Sequence, residues 1–237
     1  MGIARRTTRR SAKKRRWVIL GVIAVTAVLA LGVALTLPLR WFDPPTTAFM
    51  LQDDSGRDPL LHEWQAWDQL GTAAVLAVVA AEDQRFGDHF GLDLDSIRDS
   101  IEEARDGEGL RGASTISQQV AKNLYLWPGR NFARKGLEAY FTLLLEACLS
   151  KKRILEIYLN IAEFGPGIYG VAAASRYYFR KPPRQLYDAE AALLATVLPS
   201  PTRLSVHEPS AYVRERQAWI LGQMQRLRRE SWLRRLD

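Results

Sequence analysis

Glu82 and Asp83 stand at the end of an apolar run, ahead of Phe86 and His89, and residues 112–123 follow as Gly-Ala-Ser-Thr-Ile-Ser-Gln-Gln-Val-Ala-Lys-Asn. A carboxylate that can take a proton from a hydroxyl, set near polar and cationic side chains, suits transfer of a sugar away from an anionic leaving group. If residues 112–123 are helical, Ser114, Gln118 and Lys122 fall four apart on one face, so a hydroxyl, an amide and an ammonium point the same way. Further along, Arg130, Arg134 and Lys135 add cations and Glu138 adds a second carboxylate. A plainer account of each stays open on the residues alone. Glu82 could mark where a core helix reaches solvent, residues 114–122 could form a solvated face, and Arg134 and Lys135 could be local partners of Glu138 at four and three residues, though cation before acid is the poorer order.

Other motifs fail on their chemistry. Gly112-Ala113-Ser114 lacks the second glycine of a nucleophile elbow, and no Gly-Lys-Ser/Thr makes a phosphate loop. Asp93-Leu94-Asp95 has the look of a metal-binding Asp-x-Asp, but an acidic residue just before Ser96 reads better as a helix N-cap. Cys148 is the single cysteine, which excludes an internal disulfide and suits a small buried hydrophobe. No Cys/His cluster has metal-ligand spacing.

The elements that must position these groups are mostly helical. Residues 140–158, 186–198 and 212–227 carry apolar side chains at three- and four-residue spacing. Residues 72–81 are apolar throughout, and their alanine content favours a buried helix. Strand signals are sparse. Residues 17–39 contain no charge and are long enough to cross a bilayer, so they are expected to form one transmembrane helix. Eight cations and no carboxylate lie in residues 1–16, which keeps that tail cytoplasmic by the positive-inside rule. A cleaved signal peptide is the competing reading, because Gly32-Val33-Ala34 is a weak cleavage pattern, but the apolar stretch exceeds the usual length of about 7–15 residues. Pro38, Pro44, Pro45 and the polar stretch from Gln52 to Asp58 disfavour continued helix, so residues 40–59 are expected as a linker and residues 60–237 as one domain. Those eight cations exceed the whole net charge of +7 and leave the remainder at −1, so the body has no basic excess for nucleic acid.

The pattern Glu-Asp-x-x-Phe-x-x-His-x-Gly-x-Asp from Glu82 to Asp93, with four further blocks, resembles the peptidoglycan glycosyltransferases, glycosyltransferase family 51. The second block is residues 112–123, ending at Asn123. The third is Arg134-Lys135-Gly136-Leu137-Glu138, the fourth residues 152–160, ending at Asn160, and the fifth Gly167-Ile168-Tyr169-Gly170-Val171. The last two are expected to build the scaffold beneath the site. Ser117 and Leu92 depart from the commonest residues of the pattern only conservatively. The chain resembles the monofunctional type, because no Ser-x-x-Lys transpeptidase block follows.

The resemblance implies an all-α, two-lobed, lysozyme-like glycosyltransferase domain behind one transmembrane helix. It implies polymerisation of lipid II with inversion at the anomeric carbon, giving β-1,4-linked glycan and releasing undecaprenyl pyrophosphate. By motif position Glu82 is the base and Glu138 a second essential carboxylate. Ser114, Gln118, Gln119, Lys122 and Arg130 line the sugar and pyrophosphate path, with Arg134 and Lys135 as further cations or structural partners; Asp83, Phe86, His89, Asn123 and Asn160 complete the motifs. No tightly bound cofactor is expected, and a divalent cation, magnesium or manganese, could accompany the pyrophosphate, with Glu138 as its ligand. Expected partners are lipid II, the growing glycan-lipid, the membrane and cell-wall synthesis or division proteins. The expected location is the inner membrane with the domain periplasmic. Two other classes stay in view, a lysozyme-like glycan-cleaving enzyme and an inactive membrane-anchored scaffold; the cations from Lys122 to Lys135 argue against the first, and the joint presence of both carboxylates with them against the second.

Overall fold

The computed structural model describes residues 4–96, 98, 114–129 and 131–236, with side chains from Arg15 onward. Helix α1 (Ala4–Thr36) runs without a break from the basic stretch into the apolar one. One segment, Arg15–Arg40, is long and apolar enough to cross a membrane. A 3-10 turn (Leu37–Arg40) ends it at Pro38, which has no N–H to continue the ladder. The last turns of α1 lie against α6 (Phe132–Cys148), where Tyr140 donates its hydroxyl to the Val28 carbonyl at 2.7 Å. Glycine at position 32 permits that approach, since a Cβ there would stand 2.1 Å from the Tyr140 oxygen.

The expected linker is not featureless. Helix α2 (Ala48–Leu51) lies within it, capped by Thr47 Oγ1, which accepts from the Met50 N–H at 3.1 Å, and packs on α5 (Ile116–Tyr125). A short helix α3 (Trp67–Leu70) precedes α4 (Thr72–Glu82). Every residue of α4 from Ala74 to Ala80 is buried, which explains why its apolar run shows no helical period: a helix covered on all sides needs no polar face.

Two groups of helices frame the site. Helix α4 packs against α9 (Asp188–Val197) and α10 (Ala211–Arg229); α5 packs against α6 and α7 (Lys151–Ile161). The continuous periodicity of residues 140–158 is broken in the structure. Leu149 is extended, and Ser150 Oγ accepts from the Arg153 N–H at 3.2 Å, so α7 starts afresh where periodicity alone suggested one helix.

The mostly helical expectation holds, and one small sheet accompanies the helices. Strands β1 (Leu61–His62), β2 (Glu163–Gly165) and β3 (Ile168–Tyr169) are ordered β1-β3-β2, with β1 parallel and β2 antiparallel to β3. Such two- and three-residue strands carry too little alternation to be read from sequence. Helix α8 (Val171–Phe179) follows from Gly170, whose φ of +82° and close approach to the Asn160 carbonyl leave no room for a Cβ. The fifth block is thus a backbone crossing, held from below by the fourth.

Candidate active site

Glu82 is the last residue of α4, and its carboxylate meets α5, where Gln119 donates from Nε2 to Oε2 at 2.7 Å. The other end of that amide is fixed too: Tyr158 of α7, fully buried, donates its hydroxyl to Gln119 Oε1 at 2.9 Å. Glu82 is therefore aimed by a chain of neutral groups. Burial pushes its carboxyl above the ordinary value of 4.5, against the opposing pull of the Gln119 bond and of the charges on Arg216 and Lys122.

The charge of Asp83 also raises the Glu82 value but is the weakest of these influences. The chain leaves the helix at this residue, which turns the side chain away. Its carboxylate instead accepts from the Ile116 N–H at 3.0 Å and pairs with His89 Nε2 at 3.0 Å. Asp83, His89 and the buried ring of Phe86, edge-on to the imidazole, hold the loop after α4 to the first turn of α5. Both acids line one hollow, but the Asp83 carboxylate is tied to His89 and the start of α5, whereas Glu82 meets the Gln119 amide.

The expected alignment of Ser114, Gln118 and Lys122 does not form. Thr115 is the N-cap of α5: its Oγ1 accepts from the Gln118 N–H at 3.2 Å, and Gln118 Oε1 accepts from the Thr115 N–H at 2.9 Å. This reciprocal pair is a capping box. It places Ser114 ahead of the helix and turns Gln118, 4% exposed, into the helix start. The Thr-x-x-Gln spacing carried that information in the sequence.

Lys122 lies on the next turns, partly buried, with its ammonium 5.1 Å from the Phe49 ring centroid. No hydrogen bond or ion pair to a described residue holds it. Burial lowers its ordinary value, and Glu138 and Glu82 raise it from two sides. Glu138, 2% exposed, is gripped from its own helix by Arg134 Nη1 at 2.8 Å and by the Lys135 ammonium, which also reaches Ser114 Oγ at 3.4 Å. Arg130 lies outside the described residues.

Asn123 is buried beside Lys122, with an Oδ1 that finds no partner among the described residues. Asn160 belongs to the scaffold as expected: fully buried, it donates to the carbonyls of Gln65 and Glu156 and accepts from the Gln65 N–H at 2.7 Å.

Glu82 and Gln119, joined by their hydrogen bond, each line a hollow. One, of about 230 Å³, is lined by Glu82, Arg85 and Ser114; the other, of about 140 Å³, by Gln119, Lys122, Asn123 and Glu163. A carboxylate that can accept a proton, next to a hollow holding a cation with no ion-pair partner among the described residues, can remove a hydroxyl proton while that cation stabilises departing negative charge. Tyr158, Glu163, Arg216 and Phe49 were not singled out from the sequence, and only Tyr158 and Glu163 lie in or beside a motif block.

A divalent cation on Glu138 does not fit this donor set. Both carboxylate oxygens are engaged by cations, and no group of three His, Cys, Asp or Glu that could hold a metal occurs among the described residues.

A family model described as Transglycosylase matches residues 54–225. A protein of Shewanella frigidimarina named biosynthetic peptidoglycan transglycosylase is 56% identical over 188 residues, 79% of this chain and 82% of that protein. Proteins of the same name from Marinomonas sp. and Pseudomonas aeruginosa are 51% identical over 216 residues and 46% over 215, covering 90% and 88% of this chain and 95% and 93% of theirs.

Proposed function

This chain belongs to the transglycosylase family and is a peptidoglycan glycosyltransferase of cell-wall synthesis; on that premise we propose that it polymerises lipid II with Glu82 as the base. The 4-hydroxyl oxygen of one sugar bonds to the anomeric carbon of the other as its proton passes to Glu82. The bond from that carbon to the pyrophosphate oxygen breaks with its electron pair on undecaprenyl pyrophosphate, and the configuration inverts. The observation that carries this reading is the Glu82 carboxylate held by the Gln119 amide, with the Lys122 ammonium nearby and without an ion-pair partner among the described residues.

Each side chain then has a task set by its surroundings. Gln119, anchored by Tyr158, aims the Glu82 oxygens, and burial keeps the carboxylate basic enough to accept a proton. Lys122 meets the negative charge that grows on the pyrophosphate, an interaction strengthened by partial exclusion of water. Arg134 and Lys135 hold Glu138 as the floor of this cationic region, with Ser114 at its edge. No step passes through a protein-held metal. The apolar segment Arg15–Arg40 anchors the enzyme where lipid-linked donor and acceptor both reside, in the inner membrane with the domain on its periplasmic side.

The test is polymerisation of fluorescent lipid II by the detergent-solubilised full chain, wild type against Glu82→Gln, with products run before and after lysozyme digestion. Lysozyme-sensitive polymer made by wild type and absent with a folded variant supports the reading. Shortening of preformed glycan without polymer would point to a cleaving enzyme, and a fully active variant would remove Glu82 from its role.

A further inference from the structure

We infer that Arg216 of α10 is a positioning residue for Glu82, clamping the last turn of α4 and setting a fixed positive charge beside the carboxylate. The inference rests on the reading of Glu82 as the base.

The end of α4 presents carbonyls without helical partners. Two side chains close it: Gln84 Nε2 donates to the Ala80 carbonyl at 3.2 Å and Arg216 Nη2 to the Ala81 carbonyl at 3.1 Å, one residue before Glu82. A cation is the favourable group there, because the helix dipole puts partial negative charge at its C-terminus. The guanidinium is itself held, 4.0 Å from the centroid of the Trp219 ring one turn on. Its height is set by the buried face of α10, where Val213, Ile220 and Met224 enter the core. Arg216 thus arrives from a helix outside every motif block and fixes both the backbone beneath Glu82 and the charge near it.

The groups around Glu82 divide by helix. Asp83 follows it on its own segment, Lys122 faces it from α5, Tyr158 from α7 and Arg216 from α10. Of the two cations Arg216 acts more strongly, opposing the upward push of burial. Removing that charge leaves the carboxylate harder to ionise, so the base is lost at a higher pH.

The experiment follows lipid II polymerisation against pH for the full chain in detergent, comparing wild type, Arg216→Gln, Arg216→Lys and Glu82→Gln, each checked for folding by thermal melting. In Arg216→Gln the acid limb of the kcat profile is expected to move to higher pH, with a loss of roughly three- to tenfold below its midpoint that shrinks toward the alkaline plateau, and with KM unchanged. Arg216→Lys is expected to keep the wild-type limb. A folded Arg216→Gln enzyme slowed equally at every pH, an unaltered profile, or a Lys variant shifted as far as the Gln variant would each overturn the inference. If Arg216→Gln does not fold, Trp219→Leu carries the test: loosening the guanidinium should move the limb part of the way, and an unmoved limb overturns the inference. A fully active Glu82→Gln enzyme would instead overturn the reading of Glu82, whatever Arg216 does.

Discussion

Glu82 and Glu138 are the same side chain on two sides of Lys122, and their surroundings make them opposites. Glu82 touches a neutral amide, and the cations Arg216 and Lys122 reach it only through space. Glu138 is clasped directly by Arg134 and Lys135, both about one turn before it on its own helix. A carboxylate with neutral partners can gain a proton without breaking an ion pair, whereas one in a double ion pair holds its cations in place. The contrast shows that two acids in a cleft are not a matched pair: one is placed to change protonation, the other to arrange charge.

The largest expected effect tests the first half of that contrast. Glu82→Gln keeps the shape and a contact with Gln119 but cannot take a proton, so polymerisation should fall by roughly 10²–10⁴-fold while the melting temperature holds. Because folding raises the Glu82 value, the folded state disfavours its charged form at neutral pH. Glu82→Gln should therefore melt no lower than wild type near neutrality, and a clear loss of stability there would break the contrast. Glu138→Gln should do the reverse in thermal melting, losing about 3 kcal/mol because the buried Arg134 guanidinium is left without a counter-charge. A Glu138→Gln protein as stable as wild type would mean that the clamp holds nothing together.

A smaller effect sharpens the same point. Tyr158→Phe removes the hydroxyl that fixes Gln119 and should cost about 1 kcal/mol in stability. Its effect on rate should be about tenfold in kcat, since a loosened amide aims Glu82 less well. A rate loss as large as that of Glu82→Gln would instead assign Tyr158 a direct part in proton transfer.

Which parts of this site were legible depended on how local the physics was. Glu82 could be found because a carboxylate ending an apolar run inside a dense motif has few uses, and the buried helix beneath it announced itself by composition. The α6–α7 break and the turned-in Gln118 were written locally as caps, Ser150 before Lys151 and Thr115 before Ile116, but helical spacing masked both. The division between Glu82 and Asp83 depends on where a helix ends to within one residue, which pattern cannot resolve. Arg216 lay beyond reach for another reason. It sits in an arginine-rich helix whose face looks solvated, and only the packing of α10 on α4 selects one of those arginines.

A third carboxylate extends the comparison. Glu163 lines the hollow with Lys122 and Asn123, accepts from the Gly167 N–H at 3.4 Å, and is pushed up to about 7, first by burial and then by the nearby Asp53 and Asp54. It resembles Glu82 rather than Glu138, since a peptide N–H meets it and no ion pair does among the described residues. Folding raises its value above the ordinary 4.5, so the folded protein retains a proton that the unfolded chain gives up between those two values. Stability from this group is full below 4.5, declines as pH rises toward 7, and is level above. Glu163→Gln should remove that decline, melting like wild type at the acid end. At about pH 8 it should be more stable by about 1 kcal/mol, a figure kept well below the full shift because the carboxyl retains contact with solvent. Thermal melting of both proteins across that range decides it. A gain that is the same at every pH would show that the glutamine merely packs better, and would leave Glu82 as the one carboxylate in this cleft whose proton matters to the fold.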